Sequence, residues 1–151
     1  MAEVVLTAQQ RAFLDAARRA TLATTAPDGR PRLVPICFVL AEDVPAVYSP
    51  LDEKPKRSAD PRELARVRDL LVLPEATILV DRWEEDWRRL AWLRAYGTGE
   101  LLEPEDRALP EHSTAVEQLR AKYPQYRDQA LERRPVIRIT LTRVVTWGPL
   151  A

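Results

Sequence analysis

Short segments of alternating or β-branched residues, separated by tight turns, constrain the fold of this chain more than any other feature. Turn sequences such as "PDGR" and "AEDV" join several of these segments as hairpins, and hairpin strands pair antiparallel. The six predicted strands are "TLATTA" (21–26), "PRLVPICFVL" (31–40), "PAVYS" (45–49), "ATILVDRW" (76–83), "RRLAWLRAYGTGELLE" (88–103) and "PVIRITLTRVVTW" (135–147). Because strands and helices do not alternate throughout, the pattern predicts a six-stranded antiparallel β-barrel with peripheral helices, not a doubly wound sheet.

Helix-start signals predict three helices between or before these strands. Thr7 and Gln10 form a capping-box pattern that starts a helix from Ala8 to about Arg19. Asp60 and Pro61 predict the start of a second helix, and Ser113 predicts the cap of a third that continues through Tyr123. The fifth strand is predicted to bend at Gly97 or Gly99.

Composition limits the classes of partner. Lys plus Arg and Asp plus Glu both number 23, so no overall field draws the chain to nucleic acid or to a membrane, and any anion site must be local. A length of 151 residues predicts one domain over 1–151. The single cysteine, Cys37, cannot form an internal disulfide, and the sequence shows no signal peptide or membrane-length apolar run. These features predict a cytoplasmic protein.

A local cluster of positive charge follows the third predicted strand. Lys54, Lys56 and Arg57 come just after Ser49, and Arg66 lies on the following predicted helix. Point charges and a hydroxyl donor at the mouth of a barrel suit a phosphate group. The alternative is a solvated loop followed by an exposed helix face, and composition alone favours that alternative.

The other polar residues suggest no catalytic machinery of their own. Four carboxylates between Asp81 and Asp86 fall on a predicted hairpin turn, where pairing with nearby arginines explains them. The only histidine, His112, is expected to face solvent, and Cys37 is expected to pack within a strand. No catalytic side chain and no metal ligand is assigned, and no phosphate-binding glycine loop is present. If the chain is an enzyme, an organic cofactor is expected to carry the reaction.

Four tryptophans are many for a chain of this size. Most are expected to lie in the core or at a subunit interface. Trp147, at the end of the last strand, could instead form the wall of a site for a flat heterocycle.

Several motifs in order resemble one branch of the pyridoxamine-phosphate-oxidase-like proteins. They are "LATTAPDGRPRLVPICFVL", "DEKPKR", "ILVDRWEEDWRRLAWLRAYGTGELL", "KYPQYR" and the terminal "VVTWG". Members of this branch are described as deazaflavin (coenzyme F420)-dependent enzymes. The resemblance implies a split β-barrel homodimer that binds a deazaflavin or flavin in a groove at the subunit interface.

The resemblance also implies a cofactor-binding site. It places the cofactor phosphate on Lys54, Lys56, Arg57 and Arg66, with Ser49 as a hydroxyl donor. It places the ring system against the backbone of Val34, Pro35 and Ile36, with Trp147 approaching from either subunit. Two residues depart from the branch: Ala91 replaces a tryptophan, and Asp69 replaces an asparagine and brings an acid near the expected phosphate.

The implied function is that of an F420H2-dependent reductase, which transfers a hydride to a small electrophilic organic substrate. One alternative is an FMN-binding protein of the same fold, and another is a non-catalytic carrier of flavin, deazaflavin or haem. Pyridoxamine-phosphate oxidase itself is not expected, since the chain ends at "WGPLA" without the basic residues that follow the terminal tryptophan in that enzyme.

Overall fold

The computed structural model describes residues 4–52 and 60–151, which form one curled antiparallel sheet flanked by helices. The strands are β1 (Ala20–Thr25), β2 (Pro31–Ile36), β3 (Val39–Leu40), β4 (Ala46–Pro50), β5 (Glu75–Arg82), β6 (Ala91–Leu102) and β7 (Val136–Trp147). Their order in the sheet is β2-β1-β5-β6-β7-β4-β3, and every pairing is antiparallel. The antiparallel barrel class predicted from the sequence is therefore confirmed.

The sheet has seven strands because the second predicted strand is divided at Cys37 and Phe38. Hydrogen bonds to residues distant in sequence fix the backbone at this interruption. The backbone N–H of Phe38 donates to Tyr123 Oη at 3.1 Å, and Ser49 Oγ donates to the Cys37 carbonyl at 2.9 Å. We call Cys37–Phe38 the kink; it connects β2 and β3, which are the two edge strands of the described sheet.

Three α-helices cover the sheet: α1 (Ala8–Ala16), α2 (Ala65–Val72) and α3 (Leu109–Lys122). The capping box of Thr7 and Gln10 is present, and α1 ends earlier than predicted because Ala17 adopts an extended conformation. A short 3-10 turn, Pro61–Glu63, precedes α2 and is capped by the side chain of Asp60. The helix α3 begins at Leu109 with Pro110 in its first turn, so the predicted cap at Ser113 is wrong. None of the helices described is long and apolar enough to cross a bilayer.

The core consists of the inward-facing side chains of the sheet. The burial of alternate residues along β5 and β6 matches the period of two expected for strands with one buried face. Ile78, Leu93 and Ile139 are fully buried in a cluster that α1 and α2 cover. A second cluster includes Leu119, Tyr126 and other residues of α3 and the segment that follows it.

The prediction that His112 faces solvent is wrong. Its side chain, on α3, has 1% of its surface exposed, and Nε2 is 2.6 Å from the backbone carbonyl of Arg134. At that distance Nε2 carries the proton and donates it to the carbonyl. The ring is buried because this bond replaces the water it would otherwise need.

Strands β6 and β7 form the longest pairing, and its register shifts between Tyr96 and Gly97. A Cβ at Gly97 would overlap the backbone carbonyl of Thr140, so only glycine allows the strands to approach here. The structure confirms the irregularity predicted at Gly97 or Gly99 and assigns it to Gly97.

Candidate functional site

The last residues of β4 border a buried polar cluster, which we call the β4-end cluster: Cys37, Ser49, Asp52, Arg66 and Tyr126. The carboxylate of Asp52 is 6% exposed and accepts a hydrogen bond of 2.7 Å from Tyr126 Oη. Burial, together with Cys37 and Asp52, raises the pKa of Tyr126, so the phenol stays protonated and acts as a donor. The cluster therefore ties Asp52, two residues after β4, to the segment that follows α3.

Arg66 is the cation that the structure places in this cluster. Its side chain is half-buried on α2, and its Nε is buried with no hydrogen-bond partner among the described residues. Burial lowers the pKa of Arg66, while nearby Asp52 and Tyr126 raise it in part. A buried donor without an acceptor costs free energy, so an anion that reached Nε would be bound favourably.

Ser49 points into the cluster but already uses its proton. The side chain is 1% exposed, and its hydroxyl donates to the Cys37 carbonyl at the kink. A hydroxyl has one proton to donate. Ser49 would have to rotate away from Cys37 before it could donate to a phosphate.

Val34, Pro35 and Ile36 form the end of the edge strand β2, immediately before the kink. Val34 is half-buried, Pro35 is exposed and Ile36 is buried. Among the described strands β2 pairs only with β1, so part of its backbone faces away from the sheet and is available for hydrogen bonds. The bond from Ser49 to Cys37 places this end of β2 beside the β4-end cluster.

Trp147 lies far from that cluster within one chain. Ser49 is opposite Ile137 near the start of β7, and Trp147 ends that strand ten residues later. At the usual rise of a strand this is roughly 30 Å along β7. Trp147 is opposite Trp92 of β6 and is 53% exposed. Of the predicted site residues, the structure thus brings together Ser49, Arg66 and Val34–Ile36 but not Trp147.

Lys54, Lys56 and Arg57 lie outside the described residues. Their neighbours in sequence, Asp52 and Asp60, flank this part of the chain. The prediction that these three cations bind a phosphate therefore stays a prediction.

A second polar cluster, beside α2, was not predicted from the sequence. Asp69 is buried and accepts hydrogen bonds from Arg32 Nε at 2.7 Å and from Thr24 Oγ1 at 2.8 Å. Burial would raise the pKa of Asp69, but the bonds from Arg32 and Thr24 outweigh it and keep the pKa below 3.8. Arg32 and Asp69 line a cavity of about 480 Å³ between the β1–β2 turn and α2. The acid that departs from the family pattern is thus neutralised by Arg32.

The convex side of the sheet carries an unusual number of exposed apolar and aromatic side chains. We call it the outer face; it comprises Leu33, Leu79, Trp92, Arg94, Tyr96 and Trp147. Leu33 is 65% exposed and Leu79 is 37% exposed. The guanidinium of Arg94 lies 4.9 Å from the ring centre of Trp92 and 5.5 Å from that of Tyr96. Such a patch is typical of a surface that another protein covers.

The tryptophans do not fill the core. Trp83 and Trp87 are 66% and 69% exposed and flank the β5–β6 turn. In that turn Asp86 caps a short 3-10 helix and Glu84 accepts a 2.5 Å bond from Arg89 Nε. This confirms local pairing for Glu84 and Asp86. Within the described ranges, no group of three histidine, cysteine or acidic residues could hold a metal ion.

Comparisons with known proteins agree with this architecture. The model of the family described as pyridoxamine 5'-phosphate oxidase matches residues 6–148. Among solved structures, a conserved hypothetical protein from Mycobacterium tuberculosis has a TM-score of 0.72 at 20% identity, with 98% of this chain and 88% of that chain covered. No relative of the chain is found among curated protein sequences.

Two further solved structures share the fold and differ in the ligand they bind. A FAD-binding protein from Mesorhizobium loti has a TM-score of 0.64 at 18% identity, covering 93% of this chain and 94% of that one. The heme storage protein HutZ from Vibrio cholerae has a TM-score of 0.66 at 16% identity, covering 96% and 95%. At these identities the similarity shows the fold alone.

Proposed function

Because this chain belongs to the pyridoxamine 5'-phosphate oxidase family, we propose that it is an oxidoreductase with a phosphate-bearing, flavin-type cofactor at the β4-end cluster. In the specific form of the proposal the cofactor is coenzyme F420, with FMN as the alternative. The protein is then an F420H2-dependent reductase acting on a small electrophilic organic molecule. The observation that carries the proposal is the buried Nε of Arg66, which has no hydrogen-bond partner among residues 4–52 and 60–151.

Arg66 would hold the cofactor phosphate. Its side chain projects from α2, which is anchored in the core by Val67 and Leu70, one and four positions after Arg66. A cation already held in place loses little entropy on binding, and its charged hydrogen bonds are about twice as strong as neutral ones. Lys54, Lys56 and Arg57 would add further charge in this proposal.

The backbone of β2 would hold the ring system. The exposed backbone at Val34–Ile36 lies directly before the kink, next to the proposed phosphate site. Outward N–H and C=O groups of an edge strand can bond the polar edge of a heterocycle as they would bond a neighbouring strand. Pro35 has no N–H, so its contribution would be limited to its carbonyl and ring.

A second copy of the chain would complete the site. Trp147 is too far along β7 to reach the β4-end cluster of its own subunit directly, as described above. Packing of two outer faces would bury Leu33 and Leu79 and bring the partner's Trp147 towards the first subunit. We therefore include a homodimer in the proposal.

When bound, reduced deazaflavin supplies the hydride. The residues of the chain fix the phosphate, support one face of the ring and leave the other face open for the substrate. No side chain is assigned as a general acid, and the proton that follows the hydride would come from water or a backbone group.

Fluorescence titration with F420 and with FMN tests the proposal. Arg66→Ala should weaken binding roughly tenfold or more, since each lost charged hydrogen bond is worth about 1.5–3 kcal/mol. The matched control is Arg68→Ala, two positions along the same helix, where the arginine is exposed. Replacing Lys56 and Arg57 with alanine should also weaken binding while the protein stays folded. Equal affinities for the Arg66 and Arg68 variants would contradict the phosphate site.

Turnover distinguishes an enzyme from a carrier. Incubation with reduced F420 and a panel of activated alkenes should show oxidation of the cofactor that depends on the substrate. Tight binding without oxidation by any acceptor would favour a carrier. A haem carrier that used a histidine ligand is disfavoured, because the only histidine of the chain is buried and bonded to the Arg134 carbonyl.

A further inference from the structure

A separate cavity lies beside the end of α3. Its volume is about 330 Å³, at the lower limit of the roughly 300–1,000 Å³ common for small-molecule pockets. It is lined by Asp15, Val39, Leu40, Glu42, Gln118, Ala121 and Lys122. The cavity thus combines an apolar wall with a lysine, an amide and two carboxylates, and neither Arg66 nor Ser49 belongs to it.

Lys122 is one of only three lysines in the chain. Its Nζ lies 4.1 Å from the ring centre of Phe38 and 5.5 Å from that of Tyr123. The Nζ atom is buried and has no hydrogen-bond acceptor in the part of the chain that the structure describes. An amine shielded from water without an acceptor is destabilised in its charged form.

Burial and one neighbouring cation disfavour the charged form of Lys122. Burial lowers the pKa of Lys122 to about 8, and the nearby guanidinium of Arg18 lowers it as well. Asp15 and Cys37 act in the opposite sense and are outweighed, and the carboxylate of Glu42 lines the same cavity. A desolvated lysine beside a second cation is an arrangement that activates the amine as a nucleophile.

Gln118 supplies a second buried atom without a partner. Its Oε1 has no hydrogen-bond donor among the described residues, and Gln118 lies four positions before Lys122 on α3. Residues at this spacing share one face of a helix, and both line the cavity. The cavity therefore has an acceptor on the same face of α3 as Lys122.

We propose that Lys122 is a nucleophilic lysine that condenses with a small aldehyde in this cavity. The flexible lysine stem lets Nζ turn from the Phe38 ring into the cavity that the side chain already lines. The nitrogen lone pair forms a bond to the carbonyl carbon, and the C=O π pair moves to oxygen. A proton passes from nitrogen to that oxygen to give a carbinolamine. Loss of the hydroxyl with the second nitrogen proton, as water, leaves an imine.

The neighbouring groups have roles in this step. Gln118 Oε1 accepts a hydrogen bond from the carbinolamine hydroxyl, and the carboxylates of Asp15 and Glu42 can carry protons between nitrogen and oxygen. This activity does not depend on the cofactor proposed at the β4-end cluster.

Reductive labelling of the full-length protein tests the proposal. Propanal with sodium cyanoborohydride converts each imine to a stable propyl adduct, and peptide mapping separates adducts at Lys54, Lys56, Lys122 and the terminal amine. At neutral pH, Lys122 should react roughly tenfold or more faster than Nα-acetyl-lysine amide, because a larger fraction of its amine is uncharged. The rate should rise through half its maximum near pH 8. A rate equal to that of the free lysine derivative would overturn the proposal.

Three comparisons locate the reaction in the cavity. Lys122→Arg keeps a cation over Phe38 but cannot form an imine, so the adduct at position 122 should vanish while adducts at Lys54 and Lys56 persist.

Gln118→Leu should slow labelling of Lys122 without altering the circular dichroism spectrum. An unchanged labelling rate would remove Gln118 from the mechanism. A bulky aldehyde such as pyrenecarboxaldehyde should react slowly at Lys122, and equal rates for both aldehydes would show that the cavity does not control access.

Discussion

Asp69 illustrates how one residue acquires its role from partners that are distant in sequence. The sequence places this acid near the expected phosphate, where it would oppose anion binding. In the structure its carboxylate is held by Arg32 and Thr24, which belong to the β1–β2 hairpin. Asp69 thus uses its charge to fasten that hairpin to α2.

Replacement of Asp69 tests this role. Asp69→Asn should lower the free energy of unfolding by about 1–3 kcal/mol at neutral pH, because the charged bonds to Arg32 and Thr24 are weakened. Since the pKa of Asp69 is lowered in the folded protein, the stabilisation is present above pH 3.8 and is lost as the pH falls further. Urea denaturation should therefore show a difference between the proteins at neutral pH that shrinks as the pH falls below 3.8. A constant difference would contradict the charge-based explanation.

Other residues show why single-residue environments are hard to predict. His112 can be buried because it bonds to the carbonyl of Arg134, 22 residues away. Nothing in the local sequence around the histidine signals this bond. Ser49 was correctly singled out as a polar residue at a strand end, but its proton goes to Cys37, twelve residues earlier. Both outcomes depend on tertiary contacts, which local patterns do not encode.

Among the elements, strand β6 packs closely against two neighbours at two of its glycines: against β7 at Gly97 and against α2 at Gly99. A side chain at Gly97 would meet backbone atoms of Thr140 on the neighbouring strand. A side chain at Gly99 would meet the Leu70 side chain of α2, at 2.9 Å from Cδ2. Backbone in a ladder cannot move without breaking hydrogen bonds, whereas a leucine side chain can adjust.

The two glycines therefore form a matched pair of variants. Gly97→Ala should lower the free energy of unfolding by about 2–4 kcal/mol, and Gly99→Ala by about 1 kcal/mol or less. Thermal and urea denaturation followed by circular dichroism measure both. Similar losses for the two variants would mean that the close approach at Gly97 is relieved by movement of β7.

The strands were predictable from the sequence and the kink was not. Period-two burial and turn residues located all the major strands, since these signals are local. The segment 31–40 carries the same apolar pattern throughout, yet the structure divides it at Cys37 and Phe38. The division is fixed by Tyr123, 85 residues later than Phe38, so its cause lies outside any local window.

For the whole molecule, the outer face is the exposed apolar surface that a second protein chain would be expected to cover. Leu79 lies in the middle of this face, opposite Thr21 of β1 and Arg94 of β6. The buried Nε of Arg94 has no hydrogen-bond partner among the described residues. A second subunit that packs against this face would cover the leucines and could provide an acceptor for Arg94.

The proposed homodimer predicts the effect of charge on this face. Leu79→Arg should shift the protein to a monomer, because a second guanidinium beside Arg94 would be buried without an acceptor. It should also weaken cofactor binding, since the partner's Trp147 would be lost. Val5→Arg is the control, as Val5 is 87% exposed ahead of α1. Sedimentation velocity at micromolar concentration measures the change, and a stable wild-type monomer would contradict the interface.

The fold class and the family were accessible from sequence, and the residues of the site were accessible only in part. Arg66 was singled out because it lies on the helix after the cationic segment, where the resemblance implies a phosphate site, and the structure places it in a buried polar cluster. Lys122 gave no signal, because its environment is formed by Phe38 and Arg18 from other elements. Long-range packing determines the reactivity of an amine, and composition does not.

The kink has a mechanical consequence. The two rims of the curled sheet, β2 and β3, are tethered to each other by two residues, a span of no more than about 11 Å between the flanking Cα atoms. The sheet therefore cannot uncurl to admit a ligand. In the proposed dimer, loading and release of the cofactor should leave the backbone of each chain almost unchanged, and should proceed by separation of the two copies or by motion of side chains.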